Sequence, residues 1–128
     1  MRLASCIAAG LLAAASPAFA TSTILCRSTI SPTDGPSLSL VVGTGETGGI
    51  VQARFTLGDD TFTTGNGPGA PAMSQAWLDR YQLKLDIVDA NAERFVVRLD
   101  TRRRRSWAYT GTLIHRGRTW RVRCDEEG

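Results

Sequence analysis

Along the second half of the chain, apolar and polar residues alternate almost one for one. Over residues 80–87, Tyr81, Leu83, Leu85 and Ile87 are apolar while Arg80, Gln82, Lys84 and Asp86 are not. A strand sends successive side chains to opposite faces, so this run predicts a strand with one wet face. Asp89, Ala90, Asn91 and Ala92 supply turn residues, and over residues 94–100 Phe95, Val97 and Leu99 alternate with Arg94, Arg98 and Asp100, with Val96 out of step. The two runs predict a hairpin. A third strand is expected over residues 106–115, with Trp107, Tyr109, Gly111 and Leu113 on one side. Arg116 and Gly117 form a two-residue connection in which Gly117 can take a positive φ. Beyond it Thr119, Arg121 and Arg123 alternate with Trp120, Val122 and Cys124, which puts Cys124 on the inward face.

The first half repeats the pattern in shorter runs: Ile24, Cys26, Ser28 and Ile30, then Leu38, Leu40 and Val42, then Val51, Ala53, Phe55 and Leu57. Breaks fall at residues 32–36, 43–49 and 58–60, and residues 60–64 make one more short strand. Only Ser74, Gln75, Ala76, Trp77, Leu78 and Asp79 have helical character, an N-cap residue followed by helix formers over little more than one turn. The breaker-rich residues 65–71 form a loop. Parallel crossovers would need helices, so the expected fold is an all-β antiparallel meander of seven or eight strands, curled or closed into a barrel. A two-sheet sandwich is the alternative.

The opening residues stand apart. Arg2, an apolar run over residues 3–15, and then Ser16, Pro17, Ala18, Phe19 and Ala20 read as a secretory signal cleaved after Ala20. This leaves residues 21–128 as a single exported all-β domain, periplasmic or extracellular. The apolar run is shorter than the roughly 20 residues of a spanning helix, so no stable membrane anchor is expected. Leu3, Ala4, Ser5 and Cys6 look like a lipoprotein box but come too early to follow an apolar segment. The short leader and the preference for Arg over Lys fit a bacterium.

Two cysteines follow the leader, Cys26 and Cys124, and an even count in an exported domain predicts one disulfide. It would join the first and last strands. Closing a loop of this length removes on the order of 4 to 5 kcal/mol of unfolded-state entropy. No Cys-x-x-Cys pair points to a redox role.

Without the leader, fourteen basic side chains face twelve acidic ones, a net charge of about +2. That balance is too even for a nucleic-acid partner. Within it, the run Arg102, Arg103, Arg104 and Arg105 stands out, because guanidiniums at a hairpin tip can grip phosphates or carboxylates bidentately. It can equally be a solvated turn that keeps an edge from pairing.

Other chemistry is thinly represented. His115, the single histidine, has no motif-defined nucleophile or orienting carboxylate. Asp59, Asp60, Asp86 and Asp89 sit at turns or on polar faces, where carboxylates make poor general acids. The glycines at 43, 45, 48 and 49 lead into no helix and form no phosphate loop. No metal-ligand spacing occurs, and no cofactor is expected. Trp77, Trp107, Tyr109 and Trp120 are the notable aromatics. Phe95, Trp107, Tyr109 and Trp120 would line an interior pocket if the barrel were hollow, and would fill the core if it were not.

In size, export, cysteines and strand pattern the chain is similar to small periplasmic barrels such as the c-type lysozyme inhibitors. Those carry a serine-and-glycine loop leading into a tyrosine. Here the loop reads Thr64, Gly65, Asn66, Gly67, Pro68, Gly69, and no inhibitory residue carries over. The expected function is therefore a non-catalytic binding or interaction module of the bacterial periplasm or envelope. A small-molecule carrier, or an enzyme inhibitor presenting residues 65–71 or the arginine tip, are the alternatives. The corresponding partners are an envelope polyanion, a small apolar ligand or a protein.

Overall fold

The computed structural model describes residues 21–43, 49–105 and 108–127. They form nine strands: β1 (Ser22–Ser28), β2 (Ser37–Val42), β3 (Ile50–Leu57), β4 (Asp60–Thr63), β5 (Ala72–Leu78), β6 (Gln82–Val88), β7 (Phe95–Arg102), β8 (Tyr109–His115) and β9 (Arg118–Glu127). One antiparallel sheet runs β4-β3-β2-β1-β9-β8-β7-β6-β5. Chain neighbours pair throughout except β4 and β5, which lie at its two ends. The pairing of β1 with β9 folds the meander back on itself, and the sheet curls into a half-barrel whose β5 approaches β3 across the open side.

Cys26 stands directly opposite Cys124 in the β1–β9 ladder, and the two are disulfide-bonded. Both are fully buried, so the bond lies in the core. Around it pack the inward positions that the alternation predicts, among them Ile24, Leu38, Leu40, Phe55, Leu83, Leu85, Ile87, Leu113 and Val122. The leader proposed over residues 1–20 lies outside the described residues, as do residues 44–48 of the glycine-rich stretch.

The described residues contain no helix. Of residues 74–79, which the sequence predicts as a helical turn, Ser74 to Leu78 belong to β5, where Gln75 to Leu78 pair with β6 and Ser74 is the extra residue of a bulge. A single helical turn fixes several dihedrals for one hydrogen bond, whereas the same residues gain a ladder when extended along a strand already in place. This strand brings the count to nine.

Two bulges explain the other departures. Val41 faces Gln52 while Val42 faces Ile50, which leaves Val51 extra; Ile87 faces Val97 while Val88 faces Phe95, which leaves Val96 extra. An extra residue reverses the alternation locally. Ile50 and Val96 consequently pack on the core, while Val51 and Phe95 are exposed.

At Gly111 β8 lies close against β7. A Cβ there would lie 2.8 Å from the Cα of Thr101 and closer still to the carbonyl oxygen of Asp100, so β7 leaves no room for a side chain. At the β8–β9 turn Arg116 and Gly117 have φ of 49° and 75°, the doubly positive geometry that matches strand twist in a two-residue hairpin.

Candidate binding face

The four residues considered for an interior pocket do not converge. Phe95 is 56% exposed, with the Arg98 guanidinium 4.1 Å from its ring centre. Trp107 lies outside the described residues. Tyr109 is buried; its hydroxyl donates to the Asp79 carbonyl at 2.6 Å, and burial pushes its phenol pKa up. Trp120 is half-buried opposite Leu113, four residues along β8 from Tyr109, under the Arg118 guanidinium at 3.8 Å. Elsewhere inside the curl, Phe55 stacks on Phe62 at 5.3 Å and touches the His115 ring at 4.6 Å.

His115 is 5% exposed and both ring nitrogens face acceptors. Nδ1 lies 2.7 Å from the Val96 carbonyl, to which its N–H donates, and Nε2 faces Asp60 Oδ2 at 3.6 Å without a hydrogen bond. Asp60 also takes the Arg116 guanidinium at 3.3 Å. In a catalytic triad one nitrogen is held and the other meets the nucleophile; here a backbone carbonyl and a carboxylate occupy the two sides. The group instead ties β4 to the β8–β9 turn.

The arginine run divides by role. Arg103 turns back: its backbone N–H donates to Tyr81 at 2.7 Å, its Nε donates to the Arg80 carbonyl at 2.9 Å, and its guanidinium lies 4.7 Å above Tyr109. Arg105 is exposed beyond the strand. Arg102 and Arg104 border a shallow depression of about 470 Å³ with Asp100, Thr110, Gly111 and Thr112.

Register extends this depression across the sheet. Arg102 pairs with Thr110, Thr110 with Arg123, and Arg123 with Arg27, all exposed on the outer face of β7, β8, β9 and β1. The adjacent row runs Lys84, Asp100, Thr112, Arg121. Arg27 and Arg123 also border a second depression of about 460 Å³ that includes Asp125 and Glu127. Arg123 Nε donates to Asp125 at 3.2 Å. Arg27, Arg102, Arg104 and Arg121 have no carboxylate partner among the described residues. The run at 102–105 is conspicuous in the sequence while Arg27, Arg121 and Arg123 are not, because the expected disulfide joins the first and last strands but no local pattern gives the register that sets these arginines beside Arg102.

Beside this face the outer surface of β5 to β8 forms a groove of about 800 Å³, lined by Gln75, Trp77, Gln82, Lys84, Asp86, Arg98, Asp100 and Thr112 among others. Trp77 is 59% exposed, yet its ring is held: the indole N–H donates to Asp79 Oδ2 at 2.9 Å. Asp79 Oδ1 accepts the backbone N–H groups of Tyr81 and Gln82, each at 2.7 Å. These bonds, the Trp77 indole foremost, hold the Asp79 carboxyl below the usual carboxylate range.

A carboxyl whose folded pKa lies below its unfolded one stabilises the fold above the unfolded value. That contribution is lost as pH falls through the lower folded value. The indole N–H resonance of Trp77 is therefore expected to shift and exchange faster with solvent as pH is taken below about 4. In Asp79→Asn that acid step should be absent. An indole signal constant through the titration would contradict the assignment.

No protein-family model matches the chain, and neither a curated protein nor a solved structure matches it. Among the described residues no helix is long and apolar enough to cross a membrane, and no group of three His, Cys, Asp or Glu side chains could hold a metal ion. The disulfide is compatible with an extracellular or periplasmic location.

Proposed function

We propose that residues 21–128 form an exported, non-catalytic module that binds anionic polymers of the bacterial envelope on the outer face of β7, β8, β9 and β1. The leader-like opening residues and the disulfide support export. One observation carries the binding reading: Arg27 stands directly opposite Arg123, with Arg102 two strands further along the same row beyond Thr110. Like charges placed opposite one another in a sheet are destabilising. A polyanion lying across the row would convert that repulsion into charge-assisted hydrogen bonds. Thr110, between Arg102 and Arg123, and Thr112, beside Arg121, add hydroxyl donors.

Stability and affinity are then expected to respond to Arg27→Ser with opposite signs. Relief of the Arg27–Arg123 repulsion, already reduced by the Arg123–Asp125 pair, should stabilise the fold by about 0.2 to 0.5 kcal/mol in urea denaturation. Binding of inorganic polyphosphate should weaken roughly threefold to tenfold and, in the native protein, fall steeply with added salt. Unchanged polyphosphate affinity in Arg27→Ser, or salt-independent binding, would remove the reading.

A further inference from the structure

We infer that the groove beside Trp77 takes a sugar ring, so that the polymer gripped by the arginine rows is an acidic oligosaccharide. The inference rests on the proposed arginine face and names the chemistry of its ligand.

Three features of the groove point to a sugar. First, Trp77 offers an exposed aromatic face, and the Asp79 bond fixes the ring before any ligand arrives. Little side-chain freedom is left to lose on binding. The C–H face of a pyranose is an apolar surface of matching shape, and an indole combines an apolar body with a polar edge.

Second, the groove's charges cancel. Lys84 lies 3.9 Å from Asp100, and Arg98 donates to Asp86 at 3.1 Å. The groove thus selects for no net charge, yet it presents carboxylate acceptors beside amide and guanidinium donors from Gln75, Gln82 and Arg98. Neighbouring hydroxyls of a sugar, each both donor and acceptor, satisfy such a mixed set, whereas a bare polyanion or an alkyl chain does not.

Third, the groove opens onto the arginines. Asp100 and Thr112 belong both to its wall and to the depression between Arg102 and Arg104. Trp77 on β5 stands in line with Lys84 and Asp100, and Arg102 lies two residues further along β7, about 12 Å from Trp77. A saccharide stacked on Trp77 therefore places the acid groups of its neighbouring rings against unpaired guanidiniums.

The test uses the disulfide-bonded mature protein and three probes in calorimetric titration: an oligogalacturonate, the same oligosaccharide with its carboxyls reduced to alcohols, and inorganic polyphosphate. The oligogalacturonate should bind more tightly than its reduced form. Trp77→Ala, at an exposed position, should weaken both saccharides about tenfold and leave polyphosphate unaffected, and Trp77→Phe should recover part of the loss. Arg102→Ser combined with Arg104→Ser should weaken oligogalacturonate and polyphosphate together.

Other outcomes separate the two claims. If Trp77→Ala alters no saccharide affinity while the arginine variant still loses both anions, the sugar inference is overturned and the arginine face stands. Oligogalacturonate binding that depends on Trp77 and ignores the arginines would overturn the arginine face and keep the sugar groove. A dimer in sedimentation that Trp77→Ala abolishes, with no saccharide bound by the native protein, would reassign Trp77 to a contact with a second copy and overturn the inference.

Discussion

Removing the disulfide by Cys26→Ala with Cys124→Ala is expected to lower unfolding stability by on the order of 4 to 5 kcal/mol. Three things set this scale. The bond spans 98 residues, so it restricts almost the whole unfolded chain. Both cysteines are fully buried in the core. The bond also sits in the one ladder, β1 with β9, that joins distant parts of the chain; every other pairing connects sequence neighbours. A domain of this size has about 5 to 15 kcal/mol in all, so the loss is a large fraction of the total, and at the low end of that range the double variant would be close to half unfolded at ambient temperature. Urea denaturation of the native and variant proteins measures the difference directly. A loss below about 1 kcal/mol would mean that the ladder closes the sheet without the bond.

The second large effect is expected at Phe55, and a comparison with Phe95 makes it specific. Phe55→Ala should cost about 3 to 5 kcal/mol, because the ring is fully buried between Phe62 and His115 and its removal leaves a cavity under β4. Phe95→Ala should fall within about 0.5 kcal/mol of the native protein, since the bulge at Val96 turns that ring outward. Loss of the Arg98 contact is the main change there. Thermal or urea unfolding of both variants decides it. Equal, large losses would place Phe95 in the core and refute the bulged register.

The two phenylalanines show where the sequence was legible and where it was not. Strict alternation identified β6, β8 and β9 and the inward face of each, and the paired cysteines indicated that the ends of the chain meet. Alternation is a local signal, however, and a bulge inserts one residue without leaving a mark in composition. Val96 was visibly out of step, but the pattern could not say whether Phe95 or Val96 would turn outward. Residues 74–79 misled for a related reason. Their intrinsic preference is helical, and the edge of β6 that overrides it is a tertiary fact.

The candidate face was legible only in part. Arg102 and Arg104 lie in a conspicuous run and the structure keeps them together, but the same run includes Arg103, whose bonds to Tyr81, Arg80 and Tyr109 make it a clamp. Arg27, Arg121 and Arg123 looked like ordinary wet-face residues. They become neighbours of Arg102 only through the register of β1, β9 and β8, which no stretch of sequence encodes by itself. Trp77 likewise was one aromatic among several until β5 placed it across from Lys84 on the outer surface.

In the proposed function this protein works from its outer face. The most direct test is a two-dimensional amide and side-chain NMR titration of residues 21–128 with the oligogalacturonate. Shifts are expected on Arg27, Arg102, Thr110, Arg121 and Arg123 and on the Trp77 indole, with Phe55, Leu113 and residues 65–71 unmoved. Shifts centred on the interior residues Tyr109 and Trp120, or on residues 65–71, would contradict it and return the function to the curl of the sheet or to the loop.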